Sequence, residues 1–241
     1  MIQYLCVALP ALLAGLVQGV TGFGAGILLM MFYPFCFDMV RSTAMSQVLC
    51  AVLCISIVLK YRKYIRFRLC ILPLVFYFPF YFAALRLSLG IHMDNLKPVL
   101  GVFLILLAIY FVLYSGKIHI TAGVFSALIC AALAGIIDAF FGIGGPTMVI
   151  YFMAVLRDKR EYLGTIQLFF TMTNLYGTAV RAFSGQVSSD MLFPLAAGAA
   201  ALLIGACAGG KVVDRIDIEK MKLLVYGFIG FAGIVTLVTG L

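Results

Sequence analysis

Charge is what this sequence has least of. Asp, Glu, Lys and Arg make up 11% of its 241 residues, against about 25% in ordinary globular domains, so the chain cannot cover a surface that faces water. Histidine is nearly absent as well. The two present, His92 and His119, fall at the ends of apolar runs, which excludes an intramembrane Ser–His dyad and an HExxH zinc site. No Gly-Lys-Ser/Thr phosphate loop occurs, so ATP hydrolysis would need a separate subunit. The seven cysteines form neither a CxxC nor a Cys/His metal spacing. They are scattered, mostly in apolar runs, and read as small buried hydrophobes, with Cys50 and Cys54 one helical turn apart. The start Met1-Ile2-Gln3 carries no basic side chain and no small-residue cleavage site follows, so the first apolar run reads as mature protein. No catalytic residue, metal site or cofactor is expected.

What the sequence has in abundance is apolar length. Hydrophobic residues make up 65% of it, in runs long enough to cross a hydrocarbon core of about 30 Å. The runs are continuous rather than alternating, which selects helices over a barrel. The fold class is therefore an all-α integral membrane protein, with membrane lipid as its surroundings. Full-length spans are expected at 42–59, 69–85, 98–114, 162–180, 191–210 and 222–240. The net charge of +8 lies in short loops, as the positive-inside rule requires, and no nucleic acid partner is implied.

Two further apolar stretches, 4–37 and 119–156, are too long for one crossing: 34 helical residues would reach about 51 Å. Both are interrupted by glycines, Gly22-Phe23-Gly24-Ala25-Gly26 in one and Gly142-Ile143-Gly144-Gly145-Pro146 in the other. Each is expected to be two half-helices meeting at a bend. A shift of 120 residues places Ala14, Gly15, Gly22 and Gly24 on Ala134, Gly135, Gly142 and Gly144, and also Phe32 on Phe152, Asp38 on Asp158 and Gln47 on Gln167. After a three-residue gap Asp94 and Lys97 meet Asp217 and Lys220. Residues 1–116 and 117–241 thus read as two membrane repeats of one transport domain.

Loop charge selects the topology. If each long stretch crosses once, the repeats are parallel, and only Lys117 and Arg181 join the basic loop of Lys60, Arg62, Lys63, Arg66 and Arg68 on the cytoplasmic side. If each enters and returns on one side, only Arg41, Arg86, Lys97 and Arg181 of the 17 basic residues stay outside. The second arrangement is preferred. Each repeat then holds a Gly-broken hairpin and three transmembrane helices, and the repeats are inverted.

Irregular backbone at membrane depth is tolerated where it is buried in protein or lines a cavity. At each bend the next half-helix, starting near Gly24–Ile27 or Gly144–Thr147, would direct free N–H groups and its positive dipole end at the gap. The pair would make an anion site with no Lys or Arg in it. Candidate site residues are Gln18, Thr21, Gly22, Phe23, Gly24 and Gly26 at the first bend. At the second they are Asp138, Gly142, Gly144, Gly145 and Thr147, where Pro146 suits a first helical turn. The following helices add Ser46, Gln47, Gln167, Thr171, Thr173 and Asn174. Asp138 falls on Gln18 in the repeat, and it reads either as a handle for a coupling proton or as a brace of the bend. Gly15-x-x-x-Gly19 and Gly205-x-x-x-Gly209 read as close helix packing instead. Arg181, at a span end beside a Gly/Ser-rich loop, reads as an interfacial anchor. The aromatic segment Phe76-Tyr77-Phe78-Pro79-Phe80-Tyr81-Phe82 is expected to be exposed, facing either lipid or a second subunit of a homo-oligomer.

The segments from Gly15 to Gly26 and from Gly135 to Gly145, with the basic loop and the overall repeat, resemble the TauE/SafE sulfite-exporter family over nearly the whole chain. The resemblance implies a multi-pass plasma-membrane carrier of a small anion such as sulfite, thiosulfate or an organosulfonate. The chain departs from the family pattern at Ala25, in the segment Met30-Met31-Phe32-Tyr33-Pro34 and at Met45-Ser46. Beside this secondary transporter stand two alternatives: an anion channel of the same fold, and a membrane subunit that delivers substrate to a separate enzyme.

Overall fold

A computed structural model describes residues 2–88 and 123–213, with scattered positions between 101 and 109 and between 220 and 238. The expected spans 98–114 and 222–240, the repeat boundary at 116/117, the partners Asp94, Lys97 and Asp217, and both histidines lie outside the described residues or are described only at isolated positions.

Among the described residues every regular element is helical. The chain runs through α1 (Ile2–Thr21), α2 (Ala25–Phe32), α3 (Met39–Tyr61), α4 (Phe67–Ser88), α5 (Val124–Phe141), α6 (Gly145–Val155), α7 (Lys159–Phe183) and α8 (Leu192–Val213). Four helical stretches are long and apolar enough to cross a membrane: Met39–Tyr64, Phe67–Ser88, Val124–Phe141 and Ser189–Lys211. Exposed Leu9, Phe125, Phe193 and Ile204 form an outer surface suited to hydrocarbon rather than water. Helix α7 has the length for a crossing, but its Thr, Gln and Asn residues lower its hydropathy. Those polar side chains are largely buried, so the helix turns them to the interior.

Both long stretches are broken at the expected glycines, but the arms are unequal. The first arms have 20 and 18 residues, the second 8 and 11. The expectation of two half-helices is corrected here: α5 alone has the length and apolarity of a span. Each first arm ends on a glycine in the left-handed region, Gly22 at φ 79° and Gly142 at φ 65°. Its N–H returns to the carbonyl of Gln18 or Asp138 at 2.8 Å in both cases, a glycine C-cap. In the first stretch the chain then folds back, since Tyr33 after α2 donates to the Val7 carbonyl of α1 at 3.2 Å. The repeat pair Asp38 and Asp158 also has a structural meaning: each is the N-cap of a long helix, accepting from Arg41 N–H in α3 and from Arg160 and Glu161 N–H in α7. Each cap stabilises its helix by about 1 kcal/mol.

Packing follows the same correspondence. Helix α1 packs on α8 and α5 on α4, while α3 lies against α7. Glycine sets the first contact: a Cβ on Gly15 would fall 1.9 Å from the Leu202 carbonyl oxygen, and one on Gly205 2.0 Å from that of Leu12. Both Gly-x-x-x-Gly motifs therefore serve close helix approach. Gly135, the counterpart of Gly15, meets Tyr77 of α4 in the same way, its Cβ 2.8 Å from the carbonyl oxygen. The order of contacts, Leu12 with Gly205 and Leu16 with Gly209, makes α1 and α8 parallel. Helices α3 and α7 are antiparallel, because Gln47 near the start of α3 meets Gly177 near the end of α7 and Tyr61 meets Gly164.

One end of the molecule gathers the basic loops. Arg66 pairs with Glu161, Arg160 donates to Tyr64 at 2.9 Å, and Lys60 donates to the Gly210 carbonyl at 3.3 Å. At the opposite end Arg41 pairs with Asp190.

Candidate functional site

The two glycine bends lie against each other. A Cβ on Gly26 would sit 2.9 Å from the Gly142 carbonyl oxygen, and one on Gly145 3.4 Å from the Phe23 ring. Between them is a cavity of about 40 Å³, lined from both halves. Of the residues expected from sequence, Gln18, Phe23, Gly24, Gly26, Asp138, Gly142, Gly144, Gly145, Thr173 and Asn174 line it, and they are joined by Ile27, Cys50, Cys54, Ile143 and Phe170. Pockets for drug-sized ligands measure roughly 300–1,000 Å³, so in this conformation there is room for a small ion and not for a large organic one.

The others stand behind this wall and hold it. Gln167 is fully buried and donates through Nε2 to the Gly22 carbonyl at 2.6 Å. Its Oε1 accepts from Gln18 Nε2 at 3.1 Å, and Gln18 Oε1 accepts the Ala25 N–H at 3.2 Å. Two amides thus satisfy the carbonyl and the N–H that the first bend exposes. Thr21 closes the loop by donating to the Phe23 carbonyl at 2.6 Å. Thr171 bonds back to the Gln167 carbonyl at 2.8 Å, and Ser46 sits 3.9 Å from the Cβ position of Gly26. Thr147 Oγ1, in the first turn of α6, is buried and makes no hydrogen bond.

The second bend is built from different chemistry. Asp138, 4% exposed, accepts a hydrogen bond from the Tyr77 hydroxyl and lies against Gly144 at the start of α6, where an added Cβ would fall 3.1 Å from its Oδ2. Tyr81 stacks on Tyr77 with ring centroids 5.6 Å apart and donates to Gln47 Oε1 at 3.1 Å. The same Oε1 accepts from Arg181 Nε at 3.0 Å. Arg181 also donates to the Ala139 carbonyl and to Gln186 Oε1, both at 2.7 Å. Gln47 and Gln167 are therefore matched in position but differ in partners.

A family model, Sulfite exporter TauE/SafE, matches residues 7–236. The chain belongs to the TauE/SafE sulfite-exporter family. No curated protein and no solved structure matches it. The family is one of membrane exporters, and the helical, lipid-compatible architecture is in keeping with it.

In this TauE/SafE chain the sequence reading missed three side chains. Arg181 is not an interfacial anchor: it is 2% exposed and turned inward. Tyr77 and Tyr81 are fully buried, so the aromatic segment is not simply an exposed surface, although Phe80 and Phe82 do face outward. The available signal was the spacing of the two tyrosines, one turn apart and the only hydroxyls in that segment. Cys50 and Cys54 do more than fill the core, since both line the cavity and Cys54 Sγ accepts from Gln18 Nε2 at 3.3 Å.

Proposed function

We propose that this protein is a secondary transporter that exports a small anion, such as sulfite, thiosulfate or an organosulfonate, across the plasma membrane by alternating access. The observation that carries the reading is the meeting of two glycine bends, one from each half of the chain, around a single small cavity. The first turns of α2 and α6 start at its wall, so backbone N–H groups and the positive ends of two helices converge on it. Gln47 and Gln167 orient the bends, and Asp138 is the site of a coupling proton. Residues 1–116 and 117–241 are the two inverted repeats, and rocking of one against the other exposes the cavity to either side.

Several relationships support the inverted arrangement. Parallel α1 and α8 together with antiparallel α3 and α7 are what a two-fold axis in the membrane plane would produce. The gathering of the 60–68 loop, residues 157–161 and Lys211 at one end agrees with the topology that loop charge selects. The fold-back of α2 onto α1 fits a stretch that enters and returns on one side.

The test is uptake of labelled sulfite, thiosulfate, sulfoacetate, taurine and acetate into liposomes that contain only this protein. Saturable uptake with counterflow, lost in Gln47→Ala and Gln167→Ala, is expected. Uptake without saturation would make it a channel. Failure with every anion by folded protein would point to another substrate class or to an obligatory partner subunit.

A further inference from the structure

The two halves differ in charge at the site. The first bend is served by the neutral Gln18, and 120 residues before Arg181 stands Tyr61. The second half instead carries one carboxylate and one guanidinium, Asp138 and Arg181, and both are buried. They do not touch. Arg181 spends its donors on Gln47, Ala139 and Gln186, while Asp138 bonds Tyr77 and packs against Gly144 at the start of α6. The Asp138 carboxylate therefore occupies the start of α6, the place where an incoming anion would be held. A Cβ on Gly144 would lie 3.1 Å from its Oδ2. The other titratable groups facing it are Tyr77 and Tyr81 of α4 and Cys50 of α3. From α7 comes Arg181 alone. The residues of α1, α2 and the first bend at the cavity, Gln18, Phe23, Gly24, Gly26 and Ile27, carry no ionisable group.

We infer that Arg181 is the fixed counter-charge of the anion site and Asp138 its removable one, so that one proton enters the site with each anion. This rests on the transport reading. In the empty site the guanidinium and the carboxylate cancel, and a guanidinium keeps its charge in proteins. An anion beside ionised Asp138 would set two negative charges against one positive in a buried space, where repulsion is little screened. A proton on Asp138 removes the carboxylate charge and leaves Arg181 to compensate the anion. The sum is zero before and after for a monovalent anion, and one negative charge remains for a dianion. Arg181 acts through Gln47 and the Ala139 carbonyl, so it is a positioning residue rather than a substrate ligand.

The test is calorimetric titration of the full-length protein in lipid nanodiscs with thiosulfate, which does not itself titrate in the neutral range, and with sulfite and acetate. Two buffers of different protonation enthalpy count the protons bound with the anion. The wild type is expected to take up one proton per anion, and Asp138→Asn to bind with none. Arg181→Gln is expected to bind at least about tenfold more weakly and to take up none, because its Asp138 is protonated before the anion arrives. Arg181→Lys restores the proton count, and it carries the test with Asp138→Asn if Arg181→Gln does not fold. Binding by the wild type without proton uptake overturns the inference and the coupling proton on Asp138 with it, and an unchanged count in Arg181→Gln overturns the inference; either leaves the anion-carrier reading standing. Binding of none of the anions overturns both.

Discussion

Gln18 and Gln167 meet across the two halves of the chain, Nε2 to Oε1 at 3.1 Å, and together they satisfy both backbone groups that the first bend leaves open. Gln167 is therefore a structural keystone of the site. Gln167→Leu, similar in size but without the amide, leaves the buried Gly22 carbonyl without a partner and Gln18 Nε2 with only the weak acceptor Cys54 Sγ, at a cost of about 1–3 kcal/mol. A lower melting temperature in detergent, with transport reduced by more than about tenfold, is the expected result. Gln167→Glu keeps the acceptor for Gln18 and is expected to lose less stability while still disturbing transport.

The close approach of α1 and α8 predicts an asymmetry among glycines. Gly15→Ala places a methyl 1.9 Å from the Leu202 carbonyl oxygen, so the helices must separate and lose the packing that holds them in lipid. At Gly227 nothing among the described residues lies within 4 Å of the added Cβ. Thermal melts should show Gly15→Ala strongly destabilised and Gly227→Ala close to wild type.

Thiol labelling reports the cavity directly. Cys36 and Cys207 are exposed, whereas Cys50 and Cys54 are buried at the cavity wall. A small maleimide should modify Cys36, in the loop before α3, first and Cys54 at least about tenfold more slowly, since a thiol reacts only where a reagent can reach it. A transported anion should slow Cys54 further and leave Cys36 unchanged. Mass spectrometry of peptides taken over a time course reads both rates.

The ion pair at the end opposite the basic loops gives an acid-side signature. Hydrogen bonds from Ser188 and then from Arg41 hold the Asp190 carboxyl below its usual range. Its folded value is thus lower than its unfolded one, so its contribution is complete above the unfolded value and is lost as pH falls through the folded one. The melting-temperature difference between wild type and Asp190→Asn should be constant near neutrality and shrink only below about pH 4. Because Asp190 is exposed and Arg41 partly so, that difference should be small and should weaken with added salt.

The sequence made the bends legible because their requirement is local. A chain that must turn after Gln18 and Asp138 needs a residue at positive φ, and Gly22 and Gly142 declare it in one letter each. Asp38 and Asp158 were visible only as a matching pair, and the structure adds that each caps a helix by satisfying N–H groups within three residues of itself. The inward turn of Arg181 was not visible. Its position near a span end fits an anchor equally well, and only the approach of Gln47 and Ala139 from other helices gives its guanidinium something to bind in the interior. Tyr77 and Tyr81 were hidden among five phenylalanine and proline neighbours, because the face of a helix that turns inward depends on what packs against it.

By itself the sequence determined that this is a membrane protein, that it is helical, and where its backbone must break. Those follow from hydrophobic length, scarcity of charge and glycine placement, all of which act along the chain. The tertiary structure decided which residues share a cavity and which carbonyl each amide satisfies. It also decided that Asp138 and Arg181, 43 positions apart, are both buried beside the second bend. Burial removes water as the alternative partner, so polar groups far apart in the chain must find one another, and that choice is made only when the helices are packed.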